Sequence, residues 1–115
     1  MNMLNQVILE GNIANEVELI ENTENTTVAK VVISYNRIVK GMDGETENEV
    51  SYFDIQAFGK LAENLIKYGY KGRGIRVVGR FKQSKYEYEG STFSKVYIAA
   101  EYIEYKPYFM NNKEE

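Results

Sequence analysis

Val50-Ser51-Tyr52-Phe53-Asp54-Ile55-Gln56-Ala57-Phe58-Gly59-Lys60-Leu61-Ala62-Glu63-Asn64-Leu65-Ile66 changes its period in the middle. Up to Phe58 the apolar residues Phe53, Ile55 and Ala57 recur at every second place, as in a strand with one face in a core. From there Leu61, Ala62, Leu65 and Ile66 make one stripe of a short helix. Lys67 suits the last turn of that helix, and Gly69 suits the left-handed cap position beyond it.

Upstream, Val7, Leu9 and Ile13 alternate with Gln6, Glu10 and Asn12, broken only by Ile8, with Gly11 read as a bulge. A β-branched run from Thr26 to Val39 predicts a second strand. Lys40 to Glu49, with Gly41, Asp43-Gly44 and four acids, can bury nothing and reads as an exposed hairpin loop before the third strand, Val50 to Phe58. Downstream of the helix, the Gly72-Arg73-Gly74 turn leads to a fourth strand, Ile75 to Tyr86. A hairpin loop over Glu87 to Ser91 leads to a fifth, Thr92 to Tyr105. Pro107, the only proline, ends the sheet, and the last eight residues read as frayed. Three strands, a helix and two strands within about 105 residues is the order of the OB-fold, an all-β five-stranded Greek-key barrel with one short helix plugging an end. A plain α+β sandwich is the competing architecture. The domain is expected over residues 1–106, with 107–115 a short polar C-terminal tail.

The 115 residues suit one domain, and 43% hydrophobic and 27% charged residues suit a globular chain. Residues 1–13 lack the pattern of a signal peptide, and no apolar run approaches a bilayer span of about 20 residues. The sequon-like Asn25-Thr26-Thr27 carries no weight without secretion. The expected location is cytoplasmic and nucleoid-associated. With no cysteine and no histidine, disulfides, zinc fingers and the usual nucleophile–base pairs are excluded. No catalytic residue, metal ligand or cofactor is expected.

Net charge is −3, unevenly spread. Residues 1–29 carry five Glu and no base, while residues 59–86 carry eight bases and one acid, giving +7. Such a block is either an electrostatic footprint for a polyanion or a solvated face.

Strand alternation sharpens the choice. With Phe53, Ile55 and Ala57 inward, Tyr52, Asp54, Gln56 and Phe58 share the wet face. In the fourth strand Ile75, Val77, Gly79 and Phe81 form the inward set, leaving Arg76, Val78, Arg80, Lys82, Ser84 and Tyr86 outside. Rings at the end of a row of cations suit a single nucleic-acid strand, in which cations neutralise phosphates and a flat ring stacks on any base. In the fifth strand Phe93, Lys95 and Tyr97 lie outside Val96, Ile98 and Ala100, where packing or a subunit contact explains Phe93 and Tyr97 equally well. The Gly69–Gly74 turn lacks the Lys-Ser/Thr end of a phosphate loop and precedes a strand.

Leu4-Asn5-Gln6-Val7-Ile8-Leu9-Glu10-Gly11-Asn12-Ile13, Phe58-Gly59-Lys60-Leu61-Ala62-Glu63, and Lys71-Gly72 followed by Val77-Val78-Gly79 occur in order. Over residues 4–105 the chain resembles the bacterial single-stranded DNA-binding proteins. The resemblance places stacking aromatics at Tyr52, Phe58 and Tyr86 and backbone-contacting bases at Lys60, Lys71, Lys82 and Lys85. Arg80 is added from its face, and Arg37 as a further candidate contact. The resemblance also implies self-assembly, as a homotetramer or a dimer, and single-stranded DNA as the partner in replication, recombination or repair, with no membrane partner. Where the family often has a further tryptophan this chain has Val39 beside Arg37 and Lys40, and tyrosine replaces tryptophan at Tyr52 and Tyr86. Asp54 lies where a base would aid binding. The family's flexible linker and acidic tip do not match Asn111-Asn112-Lys113-Glu114-Glu115, so tail-dependent replication and repair partners are not expected. An OB-fold protein-interaction module of primosome type, with secondary DNA affinity, is the alternative, and a strand-processing enzyme a more distant one.

Overall fold

The computed structural model describes residues 2–24 and 26–107. Its elements are β1 (Val7–Ile13), β2 (Glu18–Asn22), β3 (Thr27–Lys40), β4 (Thr46–Phe58), α1 (Lys60–Tyr68), β5 (Gly74–Tyr88) and β6 (Ser91–Tyr105). The strands run in the order β1-β5-β6-β4-β3-β2, and β1 also pairs with β3 at Asn12 and Ile13, which closes the barrel. The OB-type barrel with one short helix is therefore present. Residues 108–115, which hold all of the expected polar tail but Pro107, lie outside the described residues, as does Asn25 of the sequon.

Closure demands close backbone approach at two glycines. A Cβ on Gly11 would run into the Ser34 carbonyl, and one on Gly79 into that of Ala99. Gly11 is thus no bulge, since β1 and β5 stay in register from Val7 to Asn12. It marks the place where β1 crosses β3. The irregularity falls instead in the β5–β6 ladder, between Val78 and Gly79.

Inside, Ile13, Val31, Ile33, Ile55, Ile75, Val77 and Ile98 are buried, joined by Ala62 and Leu65 of α1. Each of the larger side chains contributes roughly 1.5–3 kcal/mol by leaving water. Of the expected helix stripe, Ala62 and Leu65 are buried, whereas Ile66 stays exposed. Gly69 also differs from expectation. It is extended (φ −88°, ψ 128°), and its N–H donates to the Leu65 carbonyl. Left-handed backbone is unnecessary there because the chain continues straight on to Tyr70.

Two expected loops shorten and one strand is added. The long loop at Lys40–Glu49 shrinks to a turn over residues 41–45, because β4 begins at Thr46. There Gly44 adopts φ 86°. The loop at Glu87–Ser91 shrinks to Glu89-Gly90, both at positive φ (50° and 81°), as a two-residue hairpin turn requires. Finally β2 is an added strand, paired only with β3. Its Glu18, Leu19, Ile20, Glu21 and Asn22 are all exposed, so no apolar face announces it.

The Gly72–Gly74 turn is held by Arg73. Its Nε and Nη2 donate to the Lys106 carbonyl at 2.9 and 2.7 Å, and Nη1 donates to that of Tyr68 at 3.2 Å. The same guanidinium lies 5.5 Å from the ring centroids of Tyr70 and Tyr105. The Tyr105 hydroxyl is buried without a hydrogen-bond partner. Burial pushes its pKa up to about 12, against a small opposing pull from Arg73. Unfolded tyrosine titrates near pH 10, so this group favours the folded state fully below that pH. The contribution is lost as pH rises from there towards about 12. Tyr105→Phe is expected to leave stability at neutral pH unchanged or raised by about 1 kcal/mol, and to flatten the alkaline loss. Thermal melts of both proteins across that pH range check it, and a marked loss for Tyr105→Phe at pH 7 would show that the hydroxyl has a partner.

Candidate nucleic-acid interface

The outer face of β4 carries Tyr52, Asp54, Gln56 and Phe58, because Ile55 and Ala57 are sealed into the barrel. Tyr52 is 66% and Phe58 43% exposed. Phe58 ends the strand, and Gly59 at φ 64° turns the chain into α1 while its N–H donates to the Thr27 carbonyl. Lys60 therefore follows directly after the Phe58 ring, tied only loosely to Glu63 at 3.9 Å.

From Phe81 to Val96, β5 and β6 rise as a hairpin whose residues are all exposed. Tyr86 faces Phe93 across the ladder. Their rings stack with centroids 5.6 Å apart and planes 23° from parallel. Phe93 thus braces Tyr86, and Tyr86 still shows 53% of its surface. Phe81, expected inward, is 47% exposed, and Val96 is exposed too. Both belong to the part of the hairpin that has risen past the core.

β4 and β6 run parallel and pair only at Ile55–Ile98 and Gln56–Ala99. Beyond these pairs the two strands part, leaving a cleft of about 240 Å³ lined by Tyr52, Phe53, Asp54, Phe81, Val96, Tyr97 and Ile98. Tyr97 is half-buried in this lining. Across the cleft Lys95 Nζ lies 2.7 Å from Asp54 Oδ2. That contact joins the Tyr52 face of β4 to the Tyr86 hairpin.

The cations of the basic block separate by type. Arg73 holds backbone carbonyls, as above. Arg76 donates to Glu10 at 2.8 Å and to Glu104 at 3.1 Å. These carboxylates, through the hydrogen bond that Glu10 accepts first of all, hold the guanidinium proton more tightly than usual. Conversely Arg76, then Lys106, holds the Glu10 carboxyl below its ordinary range. Arg80 pairs with Glu101 at 2.7 Å. Lys82 and Lys85, on the exposed hairpin, have no ion pair among the described residues. Lys71 is exposed in the turn between α1 and β5, at the opposite end of β5 from Tyr86. Arg37 lies across from Glu49 and shares, by alternation, the side of Ile33 and not that of Ser34, the partner of Tyr52.

Alternation also brings Ile38 and Val50 to the side of Tyr52, and Ile38 is 76% exposed. The sequence reading placed both within strands, over Thr26 to Val39 and Val50 to Phe58, and singled out neither as part of the site. Continuing the period of Val32 and Ser34 along β3 would have found Ile38.

Residues 4–106 match the Single-strand binding protein family. The single-stranded DNA-binding protein of Aquifex aeolicus is 38% identical over 101 residues, covering 88% of this chain and 69% of that protein. Single-stranded DNA-binding protein 2 of Streptococcus agalactiae is 34% identical, covering 78% of this chain and 67% of its own length. Among solved structures, the Plasmodium falciparum SSB in complex with ssDNA superposes with a TM-score of 0.80 at 20% identity, covering 93% of this chain and 98% of that one. The wild-type single-stranded DNA binding protein of Thermus aquaticus gives 0.76 at 23% identity, over 91% of this chain and 51% of that chain.

Proposed function

This chain belongs to the single-strand binding protein family, and we propose that it binds single-stranded DNA without reading its sequence, keeping it unpaired and protected in replication, recombination or repair. It performs no chemistry on the strand in this reading, acts in the cytoplasm on the nucleoid, and needs no cofactor. No helix among the described residues is long and apolar enough to cross a membrane.

The observation that carries the reading is the exposure of Tyr52 and Phe58 on a strand whose other face is closed. Large rings left in water on a polar face are available to stack on bases, which every sequence supplies. Tyr86, braced by Phe93, offers a third platform. Lys60, Lys82 and Lys85 flank these rings and supply phosphate contacts. Lys71 and Arg37 extend the track only if the strand curves round the barrel or between the hairpins.

Self-association completes the proposal. The outer face of β1, β5 and β6 exposes Ile8 and Tyr102 between the Arg76 and Arg80 ion pairs, and the outer edge of β1 is unpaired before Asn12. An unpaired strand edge beside apolar surface suits a second copy of the chain, and a homotetramer is the expected assembly.

Tyr52→Ala, Phe58→Ala and Tyr86→Ala are each expected to cost about 1–3 kcal/mol of binding per stacked base, a value established for such platforms in this family and not obtained from the present geometry. Anisotropy titration of labelled oligo-dT checks this against a duplex of equal length, with melting curves of each variant alongside. Equal affinity for strand and duplex, or loss of binding only through unfolding, would contradict the reading. The sorting of cations adds a second expectation. Lys82→Ala should reduce the slope of log affinity against log salt by about 0.7, the value for one phosphate contact on a single strand. Arg80→Ala, whose guanidinium already has Glu101, should change it less, and the reverse order would show that the Arg80–Glu101 pair opens on binding.

A further inference from the structure

Asp54 is the one acid among the four outward residues of β4 from Tyr52 to Phe58. Its side chain is only 20% exposed, and it meets Lys95 at 2.7 Å where β4 and β6 part. Lys95 is half-exposed and stands two ladder steps from the Tyr86–Phe93 stack, on the same face. A phosphate carried between bases on Tyr52 and Tyr86 would pass this ammonium.

We propose that Asp54 is an internal counterion that occupies Lys95 in the free protein, so that a DNA phosphate must displace a carboxylate to use this cation. The inference rests on the single-strand reading above and deepens it by naming a residue that sets affinity and salt response. Two further features support it. The Asp54 hydrogen bond, then its charge, raises the Lys95 pKa, with a smaller pull from Tyr86. The ammonium is therefore charged throughout the neutral range and already matched. In addition the cleft beneath the pair leaves Asp54 room to swing aside without disturbing the core.

The consequence is ionic. When a phosphate meets a free lysine, the counterions condensed on the DNA are released into solution, which makes binding salt-sensitive. When it displaces Asp54 instead, the freed carboxylate takes up a cation, and the net release falls. Asp54 thus makes binding weaker at low salt and less sensitive to rising salt.

The test is a cycle of D54N, K95M and D54N/K95M, each titrated with oligo-dT over a range of salt. D54N is expected to bind about fivefold tighter at low salt, the scale of one exposed ion pair, and to steepen the salt slope by about 0.7. K95M alone should weaken binding less than twofold, because Lys95 is held by Asp54. The double variant should lose the gain of D54N. A D54N slope equal to that of the parent overturns the proposal. So does a gain that survives in the double variant, since Asp54 would then act as bare negative charge. Melting curves verify folding, and Asp54→Ser repeats the test should the amide perturb the strand. Failure of the parent chain itself to prefer single strands would overturn the single-strand reading and not this refinement of it.

Discussion

Burial of Ile55 and Ala57 fixes the facing of β4, and almost everything functional about the molecule follows from that constraint. Side chains alternate along a strand, so sealing these two into the barrel forces Tyr52, Asp54, Gln56 and Phe58 outward together. A shift of one residue would bury the polar set and expose the core, and the cost forbids it. The rings at Tyr52 and Phe58 are therefore held in water by the energetics of their neighbours. The same strand delivers Phe58 to the Gly59 turn, and through it Lys60 and the helix that packs Ala62 and Leu65 on the core. One register thus sets the fold and the proposed interface.

Charge is organised on a second level. Arginine, with a planar fork of donors, serves the architecture: Arg73 ties the end of α1 to the end of β6, and Arg76 and Arg80 bridge strands through glutamates. Lysine, a compact ammonium on a flexible stem, is left on the hairpin and turns. A count of eight bases between residues 59 and 86 therefore overstates the charge offered to a partner. Lys95 lies outside that block yet faces the cleft, held by Asp54.

The barrel and the faces of β4 were legible in the sequence because a strict period of two meets a helical stripe there. What alternation could not supply was where a strand leaves the core. Phe81 continues the inward parity of Ile75, Val77 and Gly79, yet the irregularity at Val78–Gly79 and the rise of the hairpin expose it. The acid-rich stretch before Val50 hid the first residues of β4, which are stabilised by pairing with β3 and not by burial. β2 was invisible for the same reason. Contacts such as Arg76 with Glu10, 66 residues apart, depend on closure of the barrel and leave no local trace.

In the proposed complex a strand of DNA lies across the outer face of β4 and the β5–β6 hairpin. Photocrosslinking measures this most directly, using an oligo-dT in which single thymines are replaced by a halogenated uracil that couples to stacked aromatic rings. Mass spectrometry of the digested complex is expected to find the label on Tyr52, Phe58 and Tyr86. Label concentrated instead on Tyr102 and the face it shares with Ile8 would contradict the account, placing the nucleic acid where a second copy of the chain is expected.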